Sequence, residues 1–336
     1  MPAEPRRLQL LTRAACHLCD VAAETLERIA FLLERGGERA YRVRAFRTAA
    51  ATLSAISPEE VSERDRTGRL QELPGVGDTT ARVVHEALAG EVPGYLARLE
   101  AAPAPDPGPG AAIRSRLRGD CHTHSDWSDG GSPIETMART AAALGHDYMV
   151  LTDHSPSLTV ANGLSAERLE RQLEVVAEVN AKLAPFRMLT GVEVDILEDG
   201  SLDQDEALLA RLDVVVASVH SKLRMDEKEM TPRMIRAVSN PRVNILGHCT
   251  GRIVVGRGRP ESQFDADAVF AACAEHDTAV EINSRPERLD PPRRLLKKAL
   301  SRSRSTREVT TAMGGTAVRP CACRRARRSA LGRAGP

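Results

Sequence analysis

From residue 119 onward the chain alternates short β-rich runs with helical runs, and the first five of six β-rich runs end on an imidazole or a carboxylate. After the opening run, the β-rich segments are 148 to 152, 188 to 194, 214 to 219, 243 to 247 and 278 to 282, and helical spacing marks 134 to 144, 166 to 183 and 266 to 276. A repeated strand-then-helix order builds a parallel sheet, and six such units over about 180 residues curl that sheet into a barrel. Loops at the carboxyl ends of barrel strands converge on one mouth, and the polar residues fall there. His122 and His124 end the first run, Asp153 and His154 the second, Glu193 the third, His220 the fourth and His248 the fifth, with Asp126 and Asp129 just beyond the first pair. Independent core histidines would not collect at successive strand ends.

The residues before this region have a different texture. Val21, Ala22, Leu26, Ile29, Ala30 and Leu33 recur at helical spacing up to Gly36-Gly37. A second helix spans 41 to 53, with Arg44 and Arg47 on one face and Val43, Phe46 and Ala50 on another. Leu73-Pro74-Gly75-Val76-Gly77 then makes a tight turn into the helical stretch 79 to 89, which is a helix-hairpin-helix signature. Between Ala101 and Gly110 the chain is almost entirely Ala, Pro, Asp and Gly, a semi-rigid linker that cannot bury a core. The expected layout is a helical domain over 1–100, a linker over 101–118, a barrel over 119–300 and a basic irregular tail over 301–336.

His122 and His124 project to one side of an extended strand and can share an ion. Clustered histidines around a bridging carboxylate suit zinc, manganese or iron, and Glu193 stands where it can bridge two of them. Such a centre makes water acidic enough to attack at neutral pH and clamps phosphate-ester oxygens. The expected reacting set is His122, His124, Glu193 and Asp153. Lys222, Arg252 and Arg285 follow ligand-bearing strand ends and are candidates for substrate phosphate, with solvated surface charge as the competing reading. Trp127 lies in the first loop, where it either stacks on a base or sugar or shields the centre from water. His17, His85, His146 and His276 lie away from the mouth and are read as surface or packing residues.

His122-Thr123-His124, Ser128-Asp129-Gly130, Thr152-Asp153-His154, Gly191-Val192-Glu193-Val194-Asp195, Ser218-Val219-His220 and Gly247-His248 resemble the successive metal motifs of the PHP (polymerase and histidinol phosphatase) domain. The resemblance implies a distorted TIM-like (βα)7 barrel holding up to three divalent ions. It implies His122, His124 and Glu193 on one ion, Glu193, His220 and His248 on a second, and Asp129 with His154 on a third. The front of the chain is similar to the small N-terminal domain of family X DNA polymerases, whose bacterial members end in a PHP domain. Only the linker separates the two parts, which leaves no room for a polymerase palm.

The family closes its centre with a late Asp-x-His at the end of a seventh strand. Here no aspartate follows Asp290 and no histidine follows His276. The barrel is therefore expected to be truncated at its last strand, two ligands short and poorly active or inactive. The abrupt change beyond Leu300 reads like foreign sequence of the kind a shifted reading frame near residues 297 to 303 produces.

Charge sets limits on partners. Residues 293 to 336 hold 13 of the 47 Lys/Arg and one of the 46 acids, so the rest carries 34 basic against 45 acidic residues, about −11 net. An acidic body does not coat nucleic acid, so DNA contact is left to a local patch. The hairpin supplies one through backbone N–H groups at Gly75, Val76, Gly77 and Thr79, flanked by Arg44 and Arg47, binding DNA weakly and without sequence preference. No eighteen-residue apolar run or secretory leader is present, and seven scattered cysteines suit free thiols, so a cytoplasmic location is expected. Cys16 and Cys19 lack a second pair of ligands at structural-zinc spacing.

Three functions remain open. The first is a metal-dependent phosphoesterase for DNA ends or a small phosphate monoester. The second is a catalytically impaired DNA-binding or scaffold protein. The third is a phosphatase of the histidinol-phosphate type, which would need no DNA module.

Overall fold

The computed structural model describes residues 5–102, 108–302, 309–312 and 315–318, with side chains only within 18–102 and 108–302. It divides into two compact units, Met1–Gly108 and Pro109–Pro336.

The first unit is helical: α1 (Pro5–Arg35), α2 (Ala40–Ser54), α3 (Pro58–Arg66), α4 (Asp78–Leu88) and α5 (Gly94–Ala101). The apolar stripe read in the sequence is its core, with Leu26, Ile29, Leu33, Val43, Phe46, Leu53, Val83 and Val84 all buried together. Short α3 is held by its ends. Ser57 Oγ accepts from Glu60 N–H, Pro58 pre-sets the first turn, and acids open the helix while arginines close it. The turn before α4 needs Gly75, whose φ is +75° and whose missing Cβ would lie 2.4 Å from Thr48 Cγ2.

The second unit opens with the short helix α6 (Ala111–Arg114), inside the segment expected to be linker; residues 103–107 of that segment lie outside the described residues. Strands and helices then alternate: β1 (Gly119–Thr123), α7 (Ile134–Ala143), β2 (Tyr148–Leu151), α8 (Ala166–Leu183), β3 (Arg187–Asp195), α9 (Glu206–Leu209), β4 (Val214–Ser218), α10 (Glu227–Val238), β5 (Ile245–Leu246), α11 (Ala266–Glu275), β6 (Ala279–Val280) and α12 (Arg293–Arg302). β1 to β6 pair in sequence order, each parallel to the next. The last two strands are shorter than the sequence predicts. Backbone bonds nevertheless continue past them, from Gly247 N–H to Ala217 O and from Glu281 N–H to Leu246 O.

The ring passes from six parallel strands into a hairpin, β7 (Val309–Ala312) and β8 (Gly315–Val318), in a tail expected to be irregular. β8 is antiparallel to β6 and β7 is parallel to β1. Neither strand contains a histidine or an acid, so the expected loss of the Asp-x-His ligands stands even though backbone fills the gap.

Period-two alternation sorts the side chains. Cys121, Val150, Leu189, Val214, Val216, Ile245 and Ala279 fill the barrel interior. Val192, Val194, Val215, Ala217, Met230, Met234 and Phe270 pack in the layer between strands and helices. On β3 this leaves Leu189 and Glu193 on one face, so the carboxylate stands directly above the apolar plug. Arg233 of α10, only 2% exposed, ties together the loops after β3 and β4 by donating to the carbonyls of Ile196, Leu197 and Ser221. No described helix is long and apolar enough to cross a membrane.

Candidate metal centre

Five histidines, delivered from the ends of four strands or just beyond them, with His122 and His124 both from β1, converge on Glu193, which is 0% exposed. Its Oε2 lies 3.1 Å from His122 Nε2, 3.5 Å from His124 Nε2 and 3.0 Å from His154 Nδ1. Its Oε1 lies 3.4 Å from His220 Nε2 and 2.9 Å from His248 Nε2. Asp129 stands at the rim, with Oδ1 3.5 Å from His154 Nε2 and 3.7 Å from His124 Nδ1.

These approaches are close, but they lack the angles of hydrogen bonds. Both Glu193 oxygens, His122 Nε2, His154 Nδ1 and His220 Nε2 are buried with no hydrogen-bond partner among the described residues. A buried polar atom left unpaired costs free energy, and here several are unpaired in one place. Lone pairs aimed at a common point, rather than at one another's protons, are the arrangement that fits a cation. Nitrogen and carboxylate donors of this kind suit zinc, manganese or iron.

Among the described residues, three groups bring their ligand atoms within 4.8 Å of one another: His122/His124/Glu193, His124/Asp129/His154 and His154/Glu193/His220. The first is the set expected for one ion. The pair Asp129/His154 gains His124. Beside Glu193 and His220, it is His154 that completes the third group, where His248 had been expected, although His248 still reaches Oε1. The two carboxylate oxygens thus face different imidazoles, as a bridging ligand requires.

The electrostatics are uneven because one carboxylate cannot balance five imidazolium ions. Burial opposes the charge on His122, yet Glu193 and Glu281 beside it hold its pKa well above the ordinary value. Burial also works against His154, but Glu193 and Asp129 raise it to about 10, and Glu193 with Asp195 raises His220. His124 is pushed down to about 3 by burial, with His122 and His154 adding to it. Burial likewise lowers His248. Glu193 stays ionised: burial would raise its pKa, but His122, His154 and His220 carry it well below the usual range. A bond to His154 lowers Asp129 to about 2.

Asp153, expected in the reacting set, is engaged elsewhere. Its carboxylate accepts from Ser125 N–H (2.7 Å), Ser125 Oγ (2.6 Å), Ser128 Oγ (2.5 Å) and Gln172 Nε2 (2.6 Å). It therefore seats the loop between His124 and Asp129. Arg252 is likewise spent on structure, bonding to the carbonyls of Arg288 and Leu289 and to Glu261. Lys222 and Arg285 are more than half exposed, each beside one acid, Glu198 and Glu287 respectively.

Three residues left without a role by the sequence stand beside the centre. Glu281 accepts from His122 Nδ1 at 3.1 Å, and Asp195 lies 3.1 Å from His220 Nδ1. Arg288 has a buried Nη1 without a hydrogen-bond partner among the described residues and acts electrostatically on His248. An acid inside the β-rich run 278 to 282 was a usable signal for Glu281. Nothing local marks Arg288.

In the helical unit, Gly75, Gly77 and Thr79 are exposed and Val76 is buried. The Val76 N–H donates to Leu73 O and the Gly77 N–H to Thr80 Oγ1, so both are used within the turn. Anion contact would fall to Gly75 and the open first turn of α4 at Thr79. Arg44 is exposed, whereas Arg47 pairs with Glu34 at 2.6 Å. Cys19 is buried beside Pro58 O, and the Cys16 side chain lies outside the described residues.

Residues 120–285 match the PHP domain, and residues 20–92 match a helix-hairpin-helix domain. The DNA polymerase/3'-5' exonuclease PolX of Bacillus subtilis (strain 168) is 44% identical over 175 residues, 52% of this chain and 30% of that protein. A protein named as a probable phosphatase from Thermoanaerobacter sp. (strain X514) is 34% identical over 170 residues, 49% of this chain and 64% of that protein. The chain thus spans less than two thirds of either relative. A solved histidinol phosphate phosphatase from Lactococcus lactis, complexed with zinc, L-histidinol and phosphate, overlaps at a TM-score of 0.36. It is 18% identical and covers 50% of this chain and 74% of that one.

Proposed function

Starting from a chain that carries a PHP domain behind a helix-hairpin-helix domain, we propose that it is a metal-dependent phosphoesterase acting on DNA ends or on a small phosphate monoester. The observation that carries this reading is the convergence of five imidazoles on one buried carboxylate whose oxygens have no hydrogen-bond partner. His122, His124, Asp129, His154, Glu193, His220 and His248 would hold divalent ions, of which zinc, manganese and iron suit the donors. When bound, such ions supply an acidic water and neutralise charge on a phosphoryl group.

The chain's own residues do the rest. Glu193 divides its oxygens between two sets of imidazoles. Asp153 fixes the loop that brings Asp129 to the rim. Arg288 is the cation best placed to meet a phosphate, because its buried Nη1 has no acceptor among the described residues and it stands within electrostatic reach of His248. Lys222 and Arg285 would add charge from the surface.

DNA is the favoured substrate class because of the helix-hairpin-helix domain. Contact with about two or three phosphates would give a log–log salt slope of about −2 to −3. The buried thiols of Cys249 and Cys273, in no disulfide among the described residues, favour a reducing, cytoplasmic setting.

The test is metal content per chain, together with hydrolysis of a generic phosphodiester, single-stranded DNA and histidinol phosphate, for the parent and for His122→Ala. Metal-dependent turnover lost in His122→Ala supports the reading, and the preferred substrate separates nuclease from monoesterase. A second reading, a DNA-binding or scaffold protein with an impaired centre, is favoured by the hairpin β7–β8, which brings no histidine or acid to the ring. DNA binding without hydrolysis under any of the three metals would select it.

A further inference from the structure

We infer that Glu281 is a positioning residue that fixes two of the five histidines, and that the end of β6 thereby shapes a centre to which it supplies no direct ligand. The inference rests on reading the cluster as a metal centre.

Glu281 lies just past β6 and is 1% exposed. Its Oε1 accepts from His122 Nδ1 and from Asn283 Nδ2, each at 3.1 Å, and its Oε2 accepts from the backbone N–H of His248 at 2.5 Å. Three donors around one carboxylate leave it no proton to give, and an ionised carboxylate only accepts. The proton in the His122 bond therefore belongs to Nδ1, and Nε2 is the nitrogen that offers a lone pair once the ring has given up its second proton. That Nε2 is the buried, unpaired atom facing Glu193.

The other arm acts through the main chain. Gly247 has no Cβ; one there would lie 2.2 Å from Ser218 Oγ and 3.5 Å from Glu281 Oε2. The missing Cβ thus lets β5 pass close to Ser218 at the end of β4, and Glu281 anchors the next amide, that of His248, while its ring reaches Glu193 Oε1. A single carboxylate links the strand ends carrying His122 and His248.

The same device recurs on β3. Asp195 Oδ1 accepts from the backbone N–H of His220 and lies 3.1 Å from its Nδ1, leaving His220 Nε2 unpaired toward Glu193. Glu281 and Asp195 thus prepare imidazoles for opposite oxygens of Glu193. A carboxylate behind a ligating histidine fixes its tautomer and raises its basicity.

The test is Glu281→Gln in the full chain, which keeps the volume but offers one acceptor oxygen to three donors. Zinc is titrated into metal-free protein against a competing chelator, and imidazole nitrogens are observed by NMR in the zinc-loaded protein. The expected result is an affinity loss of about 10–100-fold for one equivalent of zinc, with His122 no longer held in its Nδ1-protonated form. In a His122→Ala background the same substitution should cost markedly less, because much of its effect passes through that ring. Unchanged zinc affinity and an unchanged His122 tautomer in Glu281→Gln would overturn the inference. If that variant does not fold, Glu281→Asp keeps the charge but draws it back by one methylene, and the same two outcomes apply. A parent chain that binds zinc yet hydrolyses no phosphate ester sinks the proposed function and leaves this inference intact; one that binds no zinc overturns both.

Discussion

Asp153 and Glu193 are both buried carboxylates in the barrel unit, and the fold treats them in opposite ways. Asp153 collects four donors and is satisfied within the loop it anchors. Glu193 has five imidazoles around it and a proper hydrogen bond to none. Burying either without compensation would cost several kcal/mol. The first cost is offset inside the protein. The second is left for a cation from outside, so partner geometry, more than burial, separates a structural acid from a binding one.

The sharpest way to break this comparison is to exchange the carboxylates for amides. Glu193→Gln should abolish tight metal uptake and lower any phosphodiester hydrolysis by about a thousandfold or more while the fold persists, as read by metal analysis, turnover and circular dichroism. Asp153→Asn should instead destabilise the chain by about 2–4 kcal/mol in urea unfolding, because it weakens a buried network, and should leave residual metal uptake. If Asp153→Asn emptied the centre at unchanged stability, or Glu193→Gln unfolded the protein, the distinction would fail.

The helical unit extends the comparison to backbone geometry. Gly75→Ala forces a side chain into the left-handed region and against Thr48, and should cost about 1–3 kcal/mol, together with DNA retention on a low-salt column.

A pH scan sharpens the electrostatic side. In metal-free protein the pKa of His154 is raised to about 10, so its stabilisation is complete below its unfolded value near 6.5 and lost as pH rises through 10. His124, pushed down to about 3, resists protonation when folded, so stability also falls as pH drops from 6.5 toward 3. The melting temperature of the metal-free chain should therefore peak near pH 6.5, and a monotonic profile would contradict both assignments.

The smallest effect belongs to the surface. Arg64→Ala removes exposed pairs with Glu60 and Glu72 and should change stability by less than about 1 kcal/mol in the same unfolding measurement.

What could be read from the chain beforehand follows from how local each signal is. The β-rich runs, the helices and the histidines at strand ends are set by periodicities of two and 3.6, and they appear where the sequence places them. Glu281 touches His122 across 159 positions, a contact that only ring closure creates. Arg252 looked free because its partners, Glu261, Arg288 and Leu289, come from distant loops. The Val76 and Gly77 amides looked available for phosphate because the turn's internal bonds cannot be seen in its composition. The hairpin β7–β8 forms where neither period is sustained; paired backbone supplies what the pattern of side chains does not announce.

The crowd of imidazoles around Glu193 also makes the metal-free protein a small store of acid. His122, His154 and His220 hold extra protons above the ordinary range, and each must give one up before its nitrogen can ligate. Loading the protein would therefore acidify a weakly buffered solution, and an indicator dye would register occupancy without any substrate being present.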